Sequence, residues 1–181
     1  MRGFTLIELL IVVAIIGILA ALLIPNAMTA IQKAKQKSTM KDIMTIATGC
    51  ADYMTDHGSW TAISQNGQVV ANNDFMKAIG PFYVKIVPVN DAWGNAYYAY
   101  VGKTAVEGNA AITALVSGDV GEDDFVIASG GRNRVLEGEA WDATNPEANI
   151  YTVSTMADFD RDLVNLDGSW VVGPRTARAV S

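Results

Sequence analysis

The sequence predicts an α+β fold: one long N-terminal α-helix, packed by its second half on a small antiparallel β-sheet head. Three observations predict it. An apolar run without a single charge extends from Leu9 to Ile24. Met40, Ile43, Met44, Ala47, Cys50, Ala51 and Met54 then recur at spacings of three and four, which places them on one helical face. Beyond residue 57 the apolar residues fall into short runs separated by Gly and Asp/Asn clusters, as strands and their turns require. The length of 181 residues suits a span plus one domain of roughly 100 to 150 residues, large enough to bury a core. With Cys50 the only cysteine, an internal disulfide is excluded.

Taken in order, the run from Leu9 to Ile24 is hydrophobic all round, which marks a membrane span or a bundle core rather than an amphipathic surface helix. Counted from Phe4 it approaches the ~20 residues needed to cross a bilayer. Pro25 lacks a backbone donor and crowds the preceding turn, so the helix should kink or loosen there without having to end. The continuation should reach Tyr53 or Met54. Asp56-His57-Gly58-Ser59 reads as its stop, with Gly58 free to take the left-handed conformation. Asn72-Asn73 can cap a short helix from Asp74 to Ile79, which Gly80-Pro81 ends. Strands are expected over 96–101, 112–116, 125–128, 150–153 and 169–172, joined as an antiparallel meander.

The net charge of −6 is unevenly placed: residues 1–56 hold five Lys/Arg against four Asp/Glu, and the rest hold eight against fifteen. An acidic head argues against nucleic acid as a partner. Lys33, Lys35, Lys37 and Lys41 read as a solvated helix face, and secondarily as a contact for anionic lipid headgroups or acidic neighbouring heads. His57 is the only histidine, and no second His or Cys accompanies it as a metal set or a nucleophile–base pair. It reads as a turn residue, and the chain as no enzyme. Cys50, on the apolar stripe, reads as a small buried hydrophobe. Asp119, Glu122, Asp123 and Asp124 read as a solvated loop before a strand.

A lone carboxylate at the edge of a span is costly to insert, so Glu8 needs a partner. The three residues Met1, Arg2 and Gly3 are too few for an ordinary secretory n-region. Gly3-Phe4-Thr5-Leu6-Ile7-Glu8-Leu9-Leu10-Ile11-Val12-Val13 resembles the signal of type IV pilins and type II secretion pseudopilins. The resemblance implies cleavage after Gly3 by a prepilin peptidase, methylation of the new N-terminus Phe4, and retention of the helix as anchor and assembly core. It implies a pilin-like fold divided into a leader (1–3), a transmembrane and assembly helix (4–24, with Pro25 at its end), an amphipathic helical half (25–56) and a periplasmic head (57–181). The implied partners are further copies of the chain in a helical filament, the peptidase, the inner membrane with its assembly platform, and minor subunits. Glu8 can then pair with the Phe4 amine of an adjacent copy in low dielectric. By Lys/Arg count the lysines would hold the C-terminal side in the cytoplasm. The family's orientation is the reverse, with the head outside.

Asp91-Ala92-Trp93-Gly94-Asn95-Ala96-Tyr97 resembles the turn and first strand of major pseudopilins, with Ala92 and Ala96 where the family carries prolines. In it Asp91 can bond the turn backbone, Trp93 can cover the core and Gly94 supplies backbone freedom, ahead of Tyr97 on the strand. The resemblance favours a type II secretion pseudopilin, with a type IV pilin or minor subunit as the alternative. A signal-anchored periplasmic binding protein or enzyme is the reading from a different class. Asp124 to Asn133 resembles the strand and glycine turn that open the family's calcium loop, but Arg132, Asn133 and Arg134 stand where acids would follow. Acids return at Asp158, Asp160 and Asp162, with Asp167 further on. The expectation is a calcium ion on the first three, against a solvated acidic turn.

Overall fold

The structure, a computed structural model, describes residues 4–60, 63–107, 121–138, 145 and 147–175. The expected strand over 112–116, the leader with Gly3, and Asp119 lie outside the described residues. The chain divides between Ala34 and Lys35 into two compact units, taken in turn. Helix α1 (Leu6–His57) runs through both.

In the first unit the apolar side chains of α1, Leu6 to Ile24 among them, are exposed on every side. The helix is long and apolar enough to cross a membrane, and its most apolar stretch has no cover within the subunit. Pro25 lies inside the helix, which continues past it. Asn26 Nδ2 donates to the Leu22 carbonyl at 3.4 Å and Thr29 Oγ1 to the Pro25 carbonyl at 3.1 Å, so polar side chains cover carbonyls on both sides of the proline.

In the second unit α1 buries Gln36, Thr39, Ile43, Ile46, Ala47, Gly49, Cys50 and Tyr53. The expected stripe was therefore rotated. Met44 and Ala51 face outward, while Ile46 and Tyr53 replace them in the core. The buried series 36, 39, 43, 46, 50, 53 alternates spacings of three and four, but it begins with two polar residues that hydrophobicity cannot select. They are admitted because they are bonded. Thr39 Oγ1 accepts the Ala92 N–H at 3.2 Å, and Gln36 Nε2 donates to the Tyr151 hydroxyl at 3.2 Å. The helix ends as expected: Gly58 has φ +72° and its N–H donates to the Met54 carbonyl at 2.8 Å.

Helix α2 (Asp74–Ile79) forms where its caps predicted, with Asn73 Oδ1 accepting the Met76 N–H at 2.8 Å. The head sheet contains β1 (Asn66–Gln68), β2 (Tyr98–Val101), β3 (Phe125–Ser129), β4 (Ile150–Tyr151), β5 (Leu163–Leu166) and β6 (Ser169–Pro174), in the order β1-β2-β3-β5-β6-β4. A short helix α3 (Lys103–Glu107) follows β2. The sheet is mixed, not a pure meander: β4 pairs parallel to β6, with Ile150 opposite Gly173. The expected strand over 150–153 is only two residues long, and that over 96–101 starts at Tyr98 because 91–96 belong to a turn. Strands β1 and β5 were not expected. Asn-Gly-Gln offers no apolar alternation, and β5 was hidden by the aspartates just before it.

Period-2 alternation gives the sheet two buried faces. Ala99, Val101, Phe125, Ile127 and Leu163 pack with Ile43, Ile46, Cys50 and Tyr53 of α1, while Tyr100, Val126, Ala128, Val164 and Val172 pack with Val106 and Tyr151 on the other side. Strand β3 is buried at all five positions, and its first four residues read as a continuous apolar run that ends on the buried Ser129. The connection from β2 to β3 is closed at its base, where the Gly102 N–H donates to the Asp124 carbonyl at 2.8 Å.

One turn of the head carries a pH dependence. Asp167, at φ +48° in the β5–β6 turn, accepts the Phe125 N–H at 2.8 Å. Its carboxyl is pushed up to about 6, first by desolvation and then by Asp124 and Asp123, against the lowering effect of that hydrogen bond. A raised folded-state pKa means that the group's contribution to stability is fully present below the unfolded value and is lost as pH rises through about 6. Asn tolerates positive φ and keeps the acceptor oxygen. Asp167→Asn is therefore expected to raise the melting temperature at pH 7 and to match the wild type at pH 4. Because the residue as a whole is exposed, screening limits the gain to about 1 kcal/mol or less. Thermal melts of the full chain in detergent at the two pH values check it, and an equal gain at both would rule out the charge as the cause.

Candidate functional site

The first candidate site is the start of α1. Thr5 stands at the N-cap and Glu8 three residues on. Glu8 Oε2 accepts from Thr5 N–H at 2.9 Å and from Thr5 Oγ1 at 2.7 Å, and the Glu8 N–H reaches Thr5 Oγ1 at 3.3 Å. This reciprocal pair is a capping box. It answers, within one subunit, the need of Glu8 for a partner. Sequence reasoning assigned Glu8 a partner in another copy and missed Thr5, although Thr-x-x-Glu directly ahead of an apolar run is the signature that could have found it. Phe4, just outside the helix, is exposed. A carboxylate and bare apolar side chains thus share the tip of an uncovered helix, an arrangement suited to binding other helices.

The second candidate site is the turn ahead of β2. Asp91 is 6% exposed, and its carboxylate gathers four donors. Oδ1 accepts the backbone N–H of Trp93 at 2.9 Å and of Asn95 at 2.8 Å. Oδ2 accepts Asn95 Nδ2 at 3.2 Å and Ser129 Oγ at 2.8 Å. The turn is closed by Gly94 N–H to the Asp91 carbonyl at 2.9 Å and Asp91 N–H to the Asn95 carbonyl at 2.7 Å. Gly94 takes φ +87°, a conformation that a side chain would oppose. Trp93 packs against the core shared with α1. Tyr97 is fully buried, its hydroxyl donates to Asp42 of α1 at 3.3 Å, and burial followed by the charges of Asp42 and Asp91 pushes its pKa up. The turn fastens three elements at once: α1 through Thr39 and Asp42, β3 through Ser129, and the loop after β3 through Asn95 Nδ2, which donates to the Gly131 carbonyl at 2.9 Å. Ser129 and Asn95 were not singled out from the sequence, since nothing local marks them.

The third is the acidic stretch expected to hold calcium. Asp158 accepts the backbone N–H groups of Ser154 at 2.8 Å and Thr155 at 2.6 Å, and these bonds hold it at about 2. Asp160 is bound by Arg132, with N–O distances of 2.7 Å to both carboxylate oxygens. Asp162 is buried, and its Oδ2 accepts the Glu137 and Gly138 N–H groups at 2.9 and 3.0 Å. Among the described residues no group of three or more His, Cys, Asp or Glu is arranged to hold a metal ion. The three carboxylates are not turned toward one point: Asp158 and Asp162 Oδ2 are held by backbone amides and Asp160 by a cation of the chain itself, while the buried Asp162 Oδ1 accepts no hydrogen bond from the described residues, so the set as a whole does not fit calcium.

The remaining candidates are structural. Cys50 is fully buried, and burial followed by the Asp167 charge pushes its thiol up, so it is an inert core residue. His57 ends α1 and stacks on Tyr53 with ring centroids 4.1 Å apart. Lys33, Lys37 and Lys41 are exposed and Lys35 is half-buried. In the acidic loop the Asp124 carboxylate accepts the Gly121 N–H at 2.7 Å, and the Asp123 carbonyl accepts Trp60 Nε1 at 2.9 Å.

Residues 1–24 match the family described as the prokaryotic N-terminal methylation motif. The chain is similar to type II secretion system core protein G of Pseudomonas aeruginosa, 36% identical over 100 residues, which are 52% of this chain and 70% of the relative. It is 34% identical over 101 residues to the protein of that name from Aeromonas hydrophila, covering 52% of this chain and 69% of the relative. The corresponding figures for Escherichia coli are 31% over 101 residues, 53% and 69%. No solved structure matches the fold at a significant level.

Proposed function

Since the chain belongs to the type II secretion system core protein G family, the major pseudopilins, we propose that it polymerises through α1 into the pseudopilus and that this growth drives protein export. The single observation that carries the reading is the uncovered apolar helix tipped by Thr5 and Glu8, inside the methylation-motif match. An apolar helix without cover is stable in a bilayer or in a bundle of its own kind, and a subunit that must pass between the two needs both options.

On this reading a prepilin peptidase cuts after Gly3 and methylates Phe4. The subunit then waits in the inner membrane with its head in the periplasm, and the assembly platform and minor subunits bring it to the filament. There the Glu8 carboxylate exchanges its own Thr5 donors for the Phe4 amine of a neighbour, a charge-assisted contact in a dry core.

The test is processing. A side chain at position 3 should obstruct the peptidase, so Gly3→Val is expected to retain residues 1–3 in intact-mass analysis. The wild type should lose them and gain one methyl group. Normal trimming of the variant would overturn the assignment.

A further inference from the structure

The loop after β3 and the segment before β5 meet through a guanidinium. Arg132 donates from Nε to Asp160 Oδ1 and from Nη2 to Asp160 Oδ2, both at 2.7 Å, and its backbone N–H donates to the Phe159 carbonyl at 2.9 Å. A planar fork on both oxygens of one carboxylate fixes orientation as well as charge, which a lysine cannot do. Alongside, the buried Asp162 binds Glu137 and Gly138 at the far end of the same loop. Between them Gly131, at φ +61°, lies so close to the other segment that a β-carbon would stand 2.9 Å from the Phe159 carbonyl oxygen and 2.6 Å from that of Arg161. Two backbones in contact are thus fastened at both ends by aspartates, one through a positive side chain and one through amides.

The second of these stretches was expected to supply the ligands of a calcium ion in place of the first, where Arg132, Asn133 and Arg134 stand instead of acids. A divalent cation entering there would face the fixed charge of Arg132 and compete with it for Asp160, and like charges a few ångströms apart repel strongly where water is partly excluded. We infer that Arg132 is a cation built into the chain: it ties residues 130–138 to 157–162, so the head of this pseudopilin holds its fold without calcium. The comparison with calcium rests on the pseudopilin reading, whereas the fastening itself does not.

The test is thermal melting of the full chain in detergent, with excess EGTA or with calcium. It is read on unassembled subunits, so it does not depend on whether the chain polymerises. The wild type is expected to melt at the same temperature in both conditions. Arg132→Gln and Asp160→Asn are each expected to lower the melting temperature by about 2 to 6 °C, and the double variant by little more than the worse single one, because the two side chains act as one unit. Arg132→Lys should recover only part of the loss. A wild-type melting temperature that rises with calcium and falls with EGTA would overturn the inference, as would single variants that melt like the wild type. The calcium comparison needs no variant, so it remains decisive if a substituted chain fails to fold.

Discussion

Glu8→Ala is expected to abolish filaments while leaving membrane insertion intact or improved. Insertion should improve because the substitution removes a charge at the edge of an apolar segment. Filaments should fail because the dry contact between the Glu8 carboxylate and a neighbouring Phe4 amine can no longer form. The capping box complicates the alanine variant, since Glu8 also holds Thr5 at the helix start. Glu8→Gln separates the two roles. Glutamine can serve a capping box at this position but carries no charge. If charge pairing drives assembly, both variants lose filaments, and Gln retains the native helix start. Electron microscopy of cells that make only the variant chain reads the outcome, with membrane fractionation as the insertion control. Abundant normal filaments from Glu8→Gln would show that the carboxylate acts only as a cap.

Asp91→Ala is expected to destabilise the head by about 3 to 5 kcal/mol, the cost of taking the acceptor from four donors, of which Ser129 is fully buried and the others are half-buried. Two turn amides and Ser129 Oγ would lose this acceptor, and Asn95 Nδ2 would keep only the Gly131 carbonyl. For a chain of this size that corresponds to a fall in melting temperature on the order of 10 °C. Asp91→Asn should lose less, because one carbonyl oxygen can still serve the amides of Trp93 and Asn95. A fall of under about 2 °C for the alanine variant of the full chain in detergent would mean that the turn is held by its backbone bonds alone.

The difference between what was legible and what was not follows the range of the interactions. The long apolar helix was readable from its composition, and the cap at Asn73, the glycine stop at Gly58 and the Asp91 turn were readable because each is decided by residues within four positions of one another. The rotation of the α1 stripe was not. It depends on Gln36 and Thr39 finding Tyr151 and Ala92, more than fifty residues away in sequence. Asp158, Asp160 and Asp162 alternate like metal ligands, yet each faces a different set of donors, that of Asp160 being Arg132. Composition could show that an arginine had entered the loop, but only geometry could show that its partner was one of the expected ligands. At the other end of the chain, Glu8 was singled out by its cost in an apolar segment, and the structure adds its bonds to Thr5. Thr5 was passed over because the methylation motif already accounted for its neighbourhood.

The hydrogen bond that closes the base of the β2–β3 connection has a consequence for how such chains can diverge. With Gly102 pinned to Asp124, and both strands held in register by Tyr98 opposite Ala128 and Val101 opposite Phe125, the two ends of the connection are fixed together, and of the described part of it α3 packs Val106 on the sheet. The length between them enters as a logarithm: doubling it costs about 0.6 kcal/mol of closure entropy, less than one well-buried methylene. Changes of length outside α3, whose Val106 packs in the core, cost the fold little by this measure, whereas a single residue added to β3 would exchange its two buried faces. A lineage can therefore lengthen or shorten the connection past α3 without disturbing the Asp91 turn or the packing of α1 on the sheet.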